Sequence, residues 1–441
     1  MYTAARSFYF HAFVLFASIL FQGCSVQQKV HRQLNKAFKK SEIANTYHMG
    51  FALYDLEQER MRYSINEDKY FTPASNTKLY TFYGGLKMLS DSIPSLRYVE
   101  RGDSLIFWGT GDPSFLLSQL KGNNAYQFLK GSPRKLFFAH GRYKGGIYGY
   151  GWSWDDYNDY YQAEINELPI MGNLLNVSVK GGQLQVSPRL FDACFQADTA
   201  VTTGDFRVTR EFDHNVFHYP GVPVKDDYQQ QVPYKINTAT TLALLSDTLQ
   251  RTVELIEMKM PTDAKTIYNL KTDSVLKAMM LPSDNFIAEQ LLLVYSNQLS
   301  DELSTKTAIK HITDTYLMDL PDKPVWVDGS GLSRGNLFTP RDMVMLLQKI
   351  YREVNDQERL FSMLPAGGHS GTLLNAYPAT DKPFVYGKTG TLSNVHNQSG
   401  YVLTKKGKVY IYSFLNNNFV QTTATVRKEM EKIVTQIHER F

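Results

Sequence analysis

The chain has 441 residues, 43% hydrophobic, 13% aromatic and 20% charged, with Lys plus Arg at 47 against Asp plus Glu at 43. Such length and apolar content exclude a disordered chain and allow two or three domains with real cores. A net charge of +4 without a basic run or basic repeat leaves no footprint for nucleic-acid binding, so no nucleic-acid partner is expected.

Residues 1–23 read as an export signal: Arg6, an apolar stretch from Phe8 to Phe21, then Gly23-Cys24 and polar Ser25, Gln27, Gln28 and Lys29. The stretch is too short for a comfortable membrane span. Gly23-Cys24 also resembles the lipobox of bacterial lipoproteins, although Phe21 stands where Leu is usual. Cys24 is therefore the expected lipidation site, and the expected location is periplasmic, with a membrane anchor through Cys24. Only Cys24 and Cys194 exist, so no disulfide framework is available. Cys194, in the apolar run Leu190-Phe191-Asp192-Ala193-Cys194-Phe195, is expected to be a buried, unreactive thiol.

Along the mature chain, Met49 to Leu56 and Met61 to Ile65 predict an antiparallel strand pair around Glu57-Gln58-Glu59-Arg60. After Pro73 the apolar positions Leu79, Tyr80, Phe82, Leu86 and Leu89 recur at helical spacing, and Ser75 stands where that helix begins. Residues 96–262 change character. They hold Trp108, Trp152 and Trp154, many Gly turns, and strand pairs such as Leu175/Val177/Val179 with Leu184/Val186 around Lys180-Gly181-Gly182. Helical patterns return at Asn285 to Asn297 and Pro340 to Tyr351. Phe384 to Gly387, Gly400 to Thr404 and Val409 to Leu415 predict strands, and Thr423 to Phe441 an amphipathic helix. The expected architecture is an α/β domain formed by residues 24–95 and 263–441, interrupted by a β-rich insertion over 96–262.

Ser-x-x-Lys occurs at Ser75, Ser118, Ser132 and Ser274, and only Ser75 opens a strongly periodic apolar helix. A serine there can be simply a helix cap, but its hydroxyl also faces the free N–H groups of the first turn. The three-residue step puts Lys78 on the same face, close enough to take the hydroxyl proton if its amine is neutral. Ser283-Asp284-Asn285 precedes the apolar run Phe286-Ile287-Ala288-Glu289-Gln290-Leu291, and Lys388-Thr389-Gly390 ends the strand begun at Phe384. That triplet is also compatible with a strand-end turn. A phosphate loop is excluded because Lys382 stands where its first Gly belongs.

In order, Ser75-x-x-Lys78, Ser283-x-Asn285 and Lys388-Thr389-Gly390 are the motif trio of β-lactamases and penicillin-binding proteins. The 283 − 78 = 205 positions between the first two exceed what a compact β-lactamase uses. The chain resembles the class C penicillin-binding proteins, the penicillin-binding protein 4 group of D-alanyl-D-alanine carboxypeptidases and endopeptidases. Pro73-Ala74-Ser75-Asn76-Thr77-Lys78, Gly109-Thr110-Gly111-Asp112-Pro113, Gly151-Trp152-Ser153-Trp154-Asp155-Asp156 and Asp328-Gly329-Ser330-Gly331-Leu332-Ser333-Arg334 look like its signatures. The departure is Gly368-His369-Ser370-Gly371-Thr372-Leu373, where the family usually carries Asp in place of Ser370.

The resemblance implies a β-lactamase/transpeptidase-like catalytic domain with Ser75 as nucleophile and Lys78 as general base, partly neutralised by burial and by Lys388. It implies that Ser283 passes the proton on and that Asn285 holds Lys78 and the substrate amide. Lys388 and Thr389 bind the terminal carboxylate beside Gly390, and the N–H groups of Ser75 and Thr391 form the oxyanion hole. Asp156 and Arg334 would contact the peptide side chain. Peptidoglycan stem peptides are the implied substrate and β-lactams the implied covalent inhibitors; no cofactor and no metal are expected.

Two other readings stay open, a β-lactamase-like hydrolase using Glu164 or Glu167 for deacylation and a non-catalytic peptidoglycan-binding protein. A Ser-His-Asp hydrolase is disfavoured because the Gly of Gly368-His369-Ser370-Gly371 stands one place early. A zinc hydrolase is disfavoured by scattered histidines, since His214 and His218 lack the intervening Glu.

Overall fold

The computed structural model describes residues 30–441, so the segment expected to be an export signal and Cys24 lie outside the described residues. Among these residues no helix is long and apolar enough to cross a membrane.

An antiparallel sheet of five strands organises the catalytic part, in the order Val385–Leu392, Val395–Leu403, Val409–Asn417, His48–Asp55, Arg60–Ile65. The first strand of the chain thus pairs with the last, His48 opposite Asn417. Alternate side chains serve opposite faces, as the two-residue period requires. Ala52, Tyr54, Ile411 and Leu415 join the core that buries helices Lys78–Met88, Asn285–Ser296 and Pro340–Val354. Phe51, Leu53, Tyr412 and Phe414 face the helical residues 30–39 and the helix Thr423–Arg440. Val30, Leu34 and Phe38, four residues apart, are the buried stripe of that first segment.

A second, mixed sheet has the order Val253–Ile256, Lys135–Ala139, Ser104–Gly109, Ser92–Arg101, Lys265–Lys271. It therefore begins before residue 96 and closes after residue 262, because Lys265–Lys271 pairs antiparallel with Ser92–Arg101. Pro94 hid the start of this strand in the sequence; it sits opposite Tyr268 at an irregularity in the ladder, where a missing N–H is tolerated. Two three-stranded sheets complete this part. In one, Leu174–Lys180 and Gln183–Ser187 turn through Gly181 and Gly182, both at positive φ. Cys194 is half-buried at the end of a short 3-10 turn rather than sealed in the core.

The insertion docks on the Asn285–Ser296 helix. The Gln290 amide donates to the carbonyls of Gly111 (3.0 Å) and Asn166 (2.8 Å). A Cβ at Gly111 would stand 2.5 Å from Leu293 Cβ, so this signature glycine is a close-approach position.

Candidate active site

Ser75 lies on the 3-10 turn Ala74–Thr77, and the α-helix proper begins at Lys78. Polar ties fix the turn to the sheet. The Thr72 N–H donates to Asn417 Oδ1 (2.7 Å), Asn397 Nδ2 donates to the Thr72 carbonyl (2.9 Å), and Asn76 Nδ2 donates to Ser399 Oγ (3.0 Å). Ala74 holds a positive φ of 48°, a strained conformation for a residue with a Cβ. Glycines press on both sides: a Cβ at Gly331 would meet the Ala74 carbonyl oxygen at 1.9 Å, and one at Gly390 would meet the Ser75 nitrogen at 2.8 Å. Side chains at either place would push the Ser75 turn out of position.

The Lys78 amine donates to Ser75 Oγ at 3.0 Å, Asn285 Oδ1 at 2.6 Å and the Ser330 carbonyl at 2.8 Å. Three acceptors use all its donor directions and leave it aimed at the serine. Burial pushes its proton affinity down to about 8, against the upward pull of Glu289, Asp284 and Asp328. Asn285 opens its helix behind the cap Asp284, whose carboxylate accepts from the Ile287 N–H. Its Nδ2 donates to the Tyr161 carbonyl of the insertion at 3.1 Å.

Lys388, Thr389 and Gly390 lie inside the strand Val385–Leu392, opposite Ser399, Gln398 and Asn397, and not at a turn after its end. Lys388 is fully buried and its amine donates to the Thr389 carbonyl at 2.6 Å. Burial first, and then the Lys78 charge, hold it well below the usual lysine range. The effect expected of Lys388 on Lys78 thus falls chiefly on Lys388 itself, because carboxylates around Lys78 favour its charged form. The Thr389 hydroxyl donates to Thr372 Oγ1 at 2.7 Å, tying the strand to the loop that carries Ser370.

The remaining residues spread around this centre. Ser283 has a positive φ of 65° and lines a cavity of about 390 Å³ with Asn285, Ser118 and Tyr161, but no hydrogen bond joins its hydroxyl to Ser75 or Lys78. Thr391 follows Gly390 on the strand, its hydroxyl hydrogen-bonded to His396 Nδ1 at 2.8 Å. Arg334 is exposed and donates to the Ser393 carbonyl at 2.7 Å, just beyond that strand's end. Asp156 is half-buried, and burial raises its proton affinity against the opposing effect of the nearby Tyr161 hydroxyl; that hydroxyl donates to Asp159 Oδ2 at 3.3 Å. Tyr161 thus links Asp159, just after the turn that carries Asp156, to Asn285. At Ser118, Ser132 and Ser274 no hydrogen bond joins the serine to the lysine three places on, in contrast to Ser75 and Lys78.

Sequence reasoning missed the Tyr161 carbonyl, the Ser330 carbonyl, Thr372 and two buried carboxylates, Glu289 and Asp328. Glu289 left a signal, a charge inside a helical run that is apolar on both sides of Glu289-Gln290. Glu164 accepts from the Ile236 N–H (2.8 Å) and Lys235 (3.3 Å), and Glu167 from the N–H groups of Gly141 (2.7 Å) and Arg142 (2.7 Å). Both are scaffold carboxylates with their oxygens engaged.

The chain is 24% identical over 425 residues to the D-alanyl-D-alanine carboxypeptidase DacB of Haemophilus influenzae, covering 83% of this chain and 85% of the relative. It is 25% identical over 434 residues to the penicillin-sensitive carboxypeptidase A of Dictyostelium discoideum, covering 82% and 81%. Among solved structures, penicillin-binding protein 4 of Haemophilus influenzae superposes with a TM-score of 0.70 at 19% identity, covering 92% of this chain and 99% of that one. That likeness shows a shared fold, of the α/β transpeptidase-like kind. The family model for D-Ala-D-Ala carboxypeptidase 3 (S13) matches residues 30–440, and the chain belongs to that family of serine-type D-Ala-D-Ala carboxypeptidases.

Proposed function

We propose that this protein cleaves the D-alanyl-D-alanine bond of peptidoglycan stem peptides through a Ser75 acyl-enzyme, as carboxypeptidase and as endopeptidase, and that penicillin acylates the same hydroxyl. The observation that carries the reading is Lys78, buried, with its proton affinity lowered to about 8 and its amine 3.0 Å from Ser75 Oγ. In its neutral form the amine takes the hydroxyl proton as Oγ bonds to the D-alanine carbonyl carbon. The C–N bond then breaks, and the proton reaches the leaving amine by way of Ser283 or Lys78. Water, deprotonated at the same site, adds to the ester and releases the shortened peptide. N–H groups of Ser75 and Thr391 stabilise the oxyanion, a contact whose loss costs on the order of 3 kcal/mol. Lys388 and Thr389, beside Gly390, receive the terminal carboxylate.

The N-terminal segment supports export to the periplasm, with lipidation at Cys24 as the anchor. A β-lactamase reading gains no support from Glu164 or Glu167, whose oxygens are committed to backbone and lysine donors.

The test is intact-mass measurement after exposure to penicillin. The wild-type protein gains one penicillin on Ser75, and Ser75→Ala gains none; an adduct on Ser118, Ser132 or Ser274 would assign the chemistry elsewhere. A second expectation concerns selectivity, in which Asp156 and Arg334 serve as contacts for the peptide side chain. Asp156→Asn lowers kcat/KM for stem peptides carrying a cationic side chain by about tenfold to a hundredfold, the worth of a charge-assisted hydrogen bond of about 1.5–3 kcal/mol. Penicillin acylation stays unchanged, since penicillin lacks that side chain. Equal losses on both substrates would remove Asp156 from substrate recognition.

A further inference from the structure

Glu289 is a charge that the reaction as described does not use. It is 1% exposed, on the helix that Asn285 opens. One carboxylate oxygen accepts from the Ser330 N–H at 2.7 Å and the other from the Gly329 N–H at 3.0 Å. The carbonyl of that same Ser330 accepts from the Lys78 amine at 2.8 Å. Helix and loop are in close contact there, since a Cβ at Gly329 would stand 2.4 Å from the Ala288 carbonyl oxygen. Asp328 braces the loop from the other side, accepting from the N–H groups of Gly331 (2.8 Å) and Ser333 (2.7 Å) and from Trp152 Nε1 (3.0 Å).

We propose that Glu289 is a positioning residue acting through Lys78: its carboxylate fixes the Ser330 carbonyl against the amine, and its negative charge stabilises the buried ammonium formed when Lys78 takes the Ser75 proton. The inference rests on the acyl-enzyme reading given above.

Electrostatics supports it. Among the carboxylates that favour the charged form of Lys78, Glu289 has the largest effect, ahead of Asp284 and Asp328. Burial and Asp328 raise the Glu289 proton affinity itself to about 8, against hydrogen bonds from the loop that favour the carboxylate. The Glu289 charge raises the proton affinity of Lys78, and by the same linkage the Lys78 charge favours ionised Glu289. Besides Asp284 and Asp328, the groups facing this pair include Lys388 on the sheet, which the Lys78 charge reaches, and Tyr143 on the insertion, which the Glu289 charge reaches. Glu302 and Lys306 share with Glu289 the lining of a cavity of about 540 Å³. As pH rises, Glu289 ionises and strengthens the hold of Lys78 on its proton, so the rise of acylation rate with pH is broader than a single ionisation.

The experiment is the pH dependence of Ser75 acylation by penicillin in the wild type, Glu289→Gln and Glu289→Asp. Without the charge, the amine loses its proton more readily but is a weaker base. Glu289→Gln is expected to move the rising limb to lower pH by about one unit and narrow it to one ionisation, while the plateau rate falls about tenfold or more. Glu289→Asp keeps the charge and holds the limb on the alkaline side of the Gln variant. A lowered plateau with an unmoved limb overturns the proposal and leaves Glu289 as a brace only; an unchanged profile overturns it as well. No adduct on wild-type Ser75 would instead refute the acyl-enzyme reading. If Glu289→Gln does not fold, the coupling is read in reverse by infrared difference spectra of the wild type and Lys78→Met. Loss of the cation must carry the protonated-carboxyl band to higher pH, and a band that stays in place overturns the proposal.

Discussion

Lys78→Met is expected to lower the rate of penicillin acylation by about 10²- to 10⁴-fold, the range in which a positioned general base contributes. The substitution keeps an unbranched chain of similar length in a buried slot and removes only the amine and its three hydrogen bonds to Ser75, Asn285 and the Ser330 carbonyl. With the proton affinity of Lys78 lowered to about 8, the neutral amine is the minority form at pH 7 and the majority form at pH 9. The sign follows: the base is the neutral form, so the wild-type rate climbs with pH through this region, and the variant loses that limb along with its rate. Stopped-flow acylation at several pH values reads both. A folded Lys78→Met protein that keeps the wild-type rate and pH profile would remove Lys78 from proton transfer. Thermal unfolding of the variant separates this loss from misfolding.

The chemistry was legible in the sequence where residues acting together are also close in the chain. Ser75 and Lys78 are one helical step apart, and Asn285 is marked by the helix it opens. The terminal hairpin was legible for a similar reason, since its apolar alternation is local. Contacts made by docking of the insertion were not legible. The Tyr161 carbonyl reaches Asn285 only because Gln290 fastens the insertion to the same helix, and neither contact has a local sequence cue. The apolar pattern of the strand through Lys388 stops at Gly387, because a lysine, a threonine and a glycine add little to it. Pairing with Gln398 and Asn397 overrides that weak local preference. Glu289 shows the reverse case, where a visible break in an apolar helical run was the trace of a functional constraint.

Lys388→Ala should slow both penicillin acylation and cleavage of a D-Ala-D-Ala peptide by roughly ten- to a thousandfold, if one desolvated charge contact is worth about 1.5 to 4 kcal/mol. The amine is buried, and its hydrogen bond to the Thr389 carbonyl leaves two of its three N–H directions for a ligand. Burial and the Lys78 charge both disfavour its ammonium form, and an arriving carboxylate reverses that balance by supplying the missing counter-charge. The anion and the proton are therefore expected to bind together, so the effect of the substitution is greatest for ligands with a free carboxylate. A penicillin ester lacking that carboxylate should acylate wild type and variant at rates within a few-fold of each other. Stability should barely change, because removing the amine also removes the cost of keeping it out of water, while the ladder to Ser399 is made by the backbone. A folded Lys388→Ala protein that acylates at the wild-type rate with free-acid penicillin would show that the triplet serves the strand alone, and the carboxylate would then need another receptor, for which Arg334, an exposed cation held at the Ser393 carbonyl just past the strand, is the candidate.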